Sequence, residues 1–218
     1  MDVTLADELA LLVHDDEDGT RRLGQPALGY GLAGALLVEL ALAGRVDVVD
    51  RKVAVVDPAP TGHPLLDGAL ARIADDKPRK PGHWVDKLGK GLTDRVLDGL
   101  VERGVLRREE GRVLLVFPRT RFPAPDGREP DAEADARARM HAAVAGDGPV
   151  DPRTAALCAL VKAVGQDRRV FAALPRGDVK RRLKAISEGE WAATAVRKAI
   201  EEVQAAITVA LVVPAASS

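Results

Sequence analysis

Aromatic residues are scarce in this chain, at 3% of its 218 residues, although hydrophobic residues as a whole reach 46%. A chain of this length can bury a sizeable core, and that core must be built mainly from alanine, valine and leucine. Such side chains favour closely packed helices over an aromatic-rich sheet sandwich. We therefore expect a mainly α-helical protein, folded as one domain over residues 1–218.

Cysteine is nearly absent as well, since Cys158 is the only one. A single cysteine excludes an intramolecular disulfide, and its place within TAALCALV indicates a core thiol. Histidine is also sparse, and no two histidines stand at the spacing of a zinc-binding helix. The four are His14, His63, His83 and His141. We predict no metal site.

Long apolar runs and an excess of one charge are missing too. No apolar run approaches the ~20 residues that a membrane-spanning helix needs, and the acidic start MDVTLADELALL is unlike a signal peptide. The 32 lysines and arginines balance 33 aspartates and glutamates, which argues against bulk attraction to nucleic acid. We expect a cytoplasmic protein, attached, if at all, peripherally to the inner face of a membrane.

The sequence also lacks the motifs of common enzyme classes. It has no G-x-S-x-G nucleophile elbow, no Walker loop and no G-x-G-x-x-G turn. The glycines of LGYGLAG lie inside a helical pattern, and the carboxylates are spread along solvent-facing positions. We predict no catalytic residues, no cofactor and no enzymatic activity.

What the chain does have is a helical period of apolar residues along most of its length. The segment 27–43 is apolar nearly all round, which is typical of a helix at the centre of a domain, and we expect it to pack against the last helix. The predicted helices are 5–13, 27–43, 64–73, one around Trp84, 92–103, 131–145, 152–164, 168–174, 177–187 and 190–213.

Two β-hairpins interrupt these helices. RVDVV and KVAVV flank Asp50 and Arg51, and VLRREEGRVLLVF predicts a second hairpin at 105–117. Residues 118–130 contain four prolines and predict the longest loop.

The stretch DPAPTGHPLLDGALARI, residues 57–73, has two interpretations. A glycine- and proline-rich loop before a helix resembles a ligand loop, but a phosphate loop needs more glycines and usually a lysine. As a helix start, Thr61 offers its hydroxyl to a free backbone N–H, Pro64 suits the first turn, and Asp67 complements the helix dipole. We favour the helix start.

Basic residues form three clusters that suit either an anionic partner or an ordinary solvated face. The clusters are Arg21 and Arg22; Lys77, Arg79, Lys80, Lys87 and Lys90; and Arg176, Lys180, Arg181, Arg182 and Lys184. The helix and hairpin of 92–117 also have the outline of a winged helix. Its helix carries too many carboxylates for base and phosphate contacts, so we do not expect nucleic acid as the partner.

Several segments together resemble the Golgi phosphoprotein 3 family. They are DELALL, GLAGALLVELALAGRV, DPAPTGHPLLDGAL, the Trp84 helix and LVERGVLRREEGRVLL, in this order. The resemblance implies a mainly helical domain, with a central bundle wrapped by amphipathic helices and two small hairpins. It also implies a non-enzymatic protein. Eukaryotic members bind phosphatidylinositol 4-phosphate on Golgi membranes and recruit the cytoplasmic tails of glycosyltransferases.

The resemblance also implies a headgroup pocket, built from a tryptophan and three arginines in the family. The corresponding positions here are Gly24, Ala33, Lys90 and Thr93, so only Lys90 keeps a cation. Each lost charge-assisted donor costs about 1.5–3 kcal/mol at a phosphate site. We therefore predict diffuse attraction to lipid rather than a specific pocket, through Arg21, Arg22, Lys90 and Arg95.

The leading hypothesis is thus a peripheral membrane adaptor, similar to Golgi phosphoprotein 3, with a degraded headgroup pocket. Its expected partners are an anionic phospholipid or phosphoinositide headgroup and the cytoplasmic tails of membrane proteins. The alternatives are a winged-helix nucleic-acid-binding protein and a protein-interaction scaffold without lipid binding. An amino-acid composition rich in alanine and arginine favours a bacterial source.

Overall fold

The computed structural model describes residues 3–14, 23–24, 26–113, 117–189 and 194–212. Within these ranges the chain forms ten helices and four short strands, which confirms the mainly helical class. The helices are α1 (Leu5–Leu12), α2 (Ala27–Leu42), α3 (Pro64–Ala74), α4 (Pro81–Gly89), α5 (Leu92–Glu102), α6 (Asp131–Ala145), α7 (Pro152–Ala163), α8 (Asp167–Val170), α9 (Arg176–Glu188) and α10 (Thr194–Val212). The strands are β1 (Val46–Val49), β2 (Lys52–Val55), β3 (Glu109–Val113) and β4 (Phe117–Arg121).

Helix α2 is the centre of the fold. It contacts α1, α4, α7 and α10, and most of its residues are buried. This follows from a helix that is apolar on every face and must be covered on every face. The predicted packing of 27–43 against the last helix is confirmed, because Ile207 and Val203 of α10 lie against Gly34 of α2.

Glycines let the neighbouring helices approach α2 closely. A Cβ atom added at Gly29 would lie 2.8 Å from the carbonyl oxygen of Gly89, at the end of α4. Real Cβ atoms do not come this close to a backbone oxygen, so the two backbones are in direct contact. This contact places the end of α4 beside the first turns of α2.

The first hairpin is confirmed, with Val46 opposite Val55 and Val49 opposite Lys52. Asp50 and Arg51 form its turn with φ angles of 49° and 60°. Both φ angles are positive, as a type I′ hairpin turn requires, although neither residue is glycine.

The predicted position of the second hairpin is wrong. Strand β3 pairs with β4, with Glu109 opposite Arg121 and Gly111 opposite Arg119, so the hairpin extends into the predicted loop. The strand sequences EEGRV and FPRTR show no apolar alternation, and Pro118 is tolerated because a two-stranded ribbon has unpaired edges.

The other predicted helices differ from the observed ones mainly at their ends. Helix α8 is the exception, since it ends at Val170 rather than at residue 174. Residues 190–193, which begin the predicted last helix, lie outside the described residues. No helix in the described ranges combines the length and the apolar character needed to cross a membrane.

The stretch at 57–73 starts a helix, as favoured. Pro64 occupies the first turn of α3, and the hydroxyl of Thr61 accepts a hydrogen bond from the backbone N–H of His63 at 3.2 Å. The hydroxyl and N–H of Thr61 both donate to Asp67, at 2.7 and 2.6 Å. The polar groups of Thr61 are therefore engaged within this segment.

Candidate lipid-binding surface

Lys90 lies in the short junction between α4 and α5. It has an extended backbone, and Gly91 follows with a φ of 66°, in the left-handed region that glycine adopts without strain. This pair of conformations lets α5 begin at Leu92 without a longer loop. The Lys90 side chain is 76% exposed, and its amino group lies 3.4 Å from Asp86. Such exposed ion pairs are weak, so Lys90 remains available to an anion.

The α4–α5 junction lies beside the start of α2. The contact between Gly29 and Gly89 fixes this arrangement, and the ring of Tyr30 lies against Gly89 as well. Gly24 is exposed just ahead of α2, and its carbonyl accepts a hydrogen bond from Leu28. The fold therefore brings Gly24 and Lys90 to one region of the surface.

The other two positions of the expected pocket are interior. Ala33 is fully buried in α2, and Thr93 is 2% exposed on the inner face of α5. Neither side chain reaches the surface, because both α2 and α5 direct these positions into the core. Two of the four positions that the resemblance assigns to a headgroup pocket are thus buried in this chain.

Arg95 is exposed on α5, one turn after Lys90 and Gly91. Partial burial and the nearby guanidinium of Arg72 lower the pKa of Arg95. Neither arginine has an ion-pair partner among the described residues. Sequence analysis missed Arg72, because nothing in the sequence of α3 indicates that this position lies near α5. Arg21 and Arg22 lie outside the described residues.

The basic cluster at 77–90 is partly neutralised by one carboxylate. Asp76 lies 3.1 Å from the amino group of Lys87 and 3.5 Å from the guanidinium of Arg79. The hydrogen bond from Lys87 is the main reason that the pKa of Asp76 falls below its usual value. Lys87 also lies over the ring of Trp84, 5.0 Å from its centre. The ion pair between Lys87 and Asp76 joins α4 to the loop that precedes it.

Comparison with known proteins explains this combination of elements. The sequence profile of Golgi phosphoprotein 3 (GPP34) matches residues 5–203. The chain belongs to the Golgi phosphoprotein 3 family. The helix–hairpin outline of α5, β3 and β4 is thereby explained as part of this family's domain, which removes the main ground for the winged-helix alternative.

Two fungal relatives are both called vacuolar protein sorting-associated protein 74. The protein of Eremothecium gossypii is 33% identical over 131 residues, which cover 49% of this chain and 40% of the relative. The protein of Schizosaccharomyces pombe is 31% identical over 137 residues, which cover 52% of this chain and 41% of the relative. The match thus spans about two fifths of each relative. A bacterial source stays a prediction.

Proposed function

We propose that this member of the Golgi phosphoprotein 3 family is a non-enzymatic peripheral adaptor, cytoplasmic in location, that binds anionic phospholipid by charge. The observation that carries the proposal is the surface around the α4–α5 junction, where Lys90, Arg95 and Arg72 are exposed to solvent. Arg21 and Arg22 are the further cations that we assign to lipid contact. The names of the fungal relatives, which refer to protein sorting, support a trafficking role.

Binding of this kind is weak and depends on salt. Each cation near an anionic membrane contributes about 1 kcal/mol, and the attraction is screened beyond about 8 Å at physiological salt. Ala33 and Thr93 are buried and uncharged, so these two positions supply no cationic side chain that could select one phosphoinositide. We expect little preference for phosphatidylinositol 4-phosphate over other anionic lipids.

Liposome flotation tests the proposal. Liposomes with phosphatidylinositol 4-phosphate are compared with liposomes matched in charge with phosphatidylserine or phosphatidylglycerol, at low and moderate salt. We expect similar binding to the three kinds of liposome, and we expect this binding to be lost as the salt concentration rises. Lys90→Glu and Arg95→Glu should each weaken it. Lys52→Glu is the matched control, because Lys52 is exposed on β2 and its reversal changes the net charge equally. A salt-resistant preference for the phosphoinositide would contradict the proposal, and binding to no liposome would favour a protein scaffold.

The adaptor role has a second candidate surface. A cleft of about 680 Å³ lies between Val105 and the loop before α6, and its lining includes the carboxylates of Asp126, Glu129 and Asp131 beside the guanidinium of Arg128. Such carboxylates suit the basic cytoplasmic tail of a membrane protein. We propose this cleft for tail binding, tested by titrating a fluorescent basic peptide against the wild type and Asp126→Lys. Equal affinities would rule the cleft out.

A further inference from the structure

A second cleft lies between the end of α7, helix α8 and the first half of α9. Its volume is about 610 Å³, and its floor includes Phe171, Val179 and Leu183. This volume is in the range of sites that bury a drug-sized ligand, which is enough for a few side chains of a peptide. The cleft shares no lining residue with the proposed lipid surface, so a ligand bound here is independent of lipid binding.

Cations surround this apolar floor. Lys162 and Arg168 line one side, Arg176 and Lys180 line the other, and Asp167 is the only carboxylate among the lining residues described. All four cationic side chains are exposed. In the described part of the chain, none of the four makes an ion pair or a side-chain hydrogen bond. The cleft is therefore strongly basic, in a chain whose net charge is −1.

Other cations of the same helix are engaged. Arg181 lies 2.8 Å from Asp178, and Lys184 lies 3.8 Å from Glu188. The guanidinium of Arg182 donates to the backbone carbonyl of Ala143 at 2.9 Å. Of the cations of α9, Arg176 and Lys180 line the cleft, whereas Arg181, Arg182 and Lys184 lie outside its lining.

We propose that the cleft binds a short acidic segment of a partner protein that carries an apolar side chain. The charges of Arg176 and Lys180, one helical turn apart, suit carboxylates on one side of such a segment. Lys162 and Arg168 suit carboxylates on the other side. The apolar side chain rests on the floor between them.

The shape of the floor favours a peptide over a lipid. Phe171 is 2% exposed, Leu183 4% and Val179 6%, so the floor offers a shallow apolar contact. The gain from burial is roughly proportional to the apolar area removed from water, so a shallow floor suits one leucine side chain of a peptide better than a long acyl chain. Pro175 leaves the first turn of α9 without a side-chain cap, and these N–H groups add to the attraction for carboxylates.

Fluorescence anisotropy of the whole chain tests the inference. The probe is a labelled ten-residue peptide of glutamate with two central leucines, compared with versions in which lysine replaces glutamate or serine replaces leucine. We expect the glutamate–leucine peptide alone to bind well. The double variant Arg176→Glu with Lys180→Glu should weaken its binding by about tenfold or more, since each removed cation becomes a repulsive charge.

The matched control is Arg181→Glu with Lys184→Glu, which makes the same charge change on the same helix at positions outside the cleft lining. We expect this control to keep its affinity within about twofold, because rim charges away from the contact have small effects on equilibrium binding. Circular dichroism verifies that both double variants fold. Equal weakening by the two variants, equal binding of the serine peptide, or no binding of the glutamate–leucine peptide overturns the inference. Loss of liposome flotation by the Arg176/Lys180 variant alone would also overturn it, by showing that the cleft faces a membrane.

Discussion

Asp67 has a pKa below its usual value of 3.8, mainly because the hydroxyl of Thr61 donates a hydrogen bond to it. An acid with a lowered pKa in the folded state stabilises the fold when it is ionised. The stabilisation is complete above pH 3.8 and is lost as the pH falls through the folded-state pKa. Thr61→Val should raise the pKa of Asp67 toward 3.8 without reaching it, because the backbone N–H of Thr61 still donates a hydrogen bond to the Asp67 carboxylate.

The measurement is a pH titration of the Asp67 carboxyl by NMR, with unfolding by urea at neutral and acidic pH. Thr61→Val should be less stable than the wild type near neutrality, and the difference should disappear in acid. Thr61→Ser keeps the hydroxyl and is the matched control. An unchanged Asp67 pKa in Thr61→Val would show that the hydroxyl contributes nothing.

Cys158 is 1% exposed within α7, and burial raises the pKa of its thiol to about 12. Only the thiolate reacts with alkylating reagents, and roughly 10⁻⁴ of such a thiol is ionised at about pH 8. We expect iodoacetamide to leave the native protein unmodified and to modify the urea-unfolded protein fully, as measured by mass spectrometry. Rapid modification of the native protein would disprove the buried position.

At the scale of elements, the contact of α2 with α4 depends on Gly29. An alanine there would meet the carbonyl oxygen of Gly89 at 2.8 Å, so the helices must separate. We expect Gly29→Ala to lower the free energy of unfolding by about 1–3 kcal/mol, and to weaken liposome flotation because Lys90 moves with α4.

Gly68→Ala is the matched control for this substitution. Gly68 lies on the exposed face of α3, and an added Cβ meets no atom within 4 Å. Alanine in a helix is up to about 1 kcal/mol more favourable than glycine, so this variant should gain stability. Urea unfolding measures both changes, and a stable Gly29→Ala would mean that the two helices are not in tight contact.

At the scale of the whole molecule, a partly buried ionic network joins helices that are distant in sequence. Arg153 of α7 donates to Glu39 of α2 at 2.7 Å and to Glu8 of α1 at 3.3 Å. Arg139 of α6 also donates to Glu8, at 2.9 Å. Removing one partner of a buried pair leaves a charge without compensation, which is costly.

Arg153→Met should therefore destabilise the protein by about 2–4 kcal/mol, toward the lower end of the range for buried pairs, because the arginine is 33% exposed. Adding Glu39→Gln removes the charge of one carboxylate that Arg153→Met leaves without its partner. The double variant should therefore regain part of the lost free energy of unfolding. Urea unfolding of the two single variants and the double variant measures this coupling. Strictly additive losses would mean that the two residues do not interact.

The sequence alone determined most of the helices, because an apolar period of 3.6 residues is a local property of each segment. It also indicated the central place of 27–43, since a helix that is apolar on all sides must be covered on all sides. The helix start at 57–73 followed from residues within one short stretch. The family followed from the order of several such segments.

Tertiary structure decided the features that depend on pairs of distant residues. The register of β3 and β4 is one, since EEGRV and FPRTR carry no apolar alternation to mark the strands. The neighbourhood of Arg72 and Arg95 is another. Arg176 and Arg182 look alike in the sequence of α9, yet the guanidinium of Arg182 donates to the backbone carbonyl of Ala143 in α6, whereas Arg176 lines the cleft. The packing of other helices around α9 sets this difference, and the sequence of α9 alone does not record it.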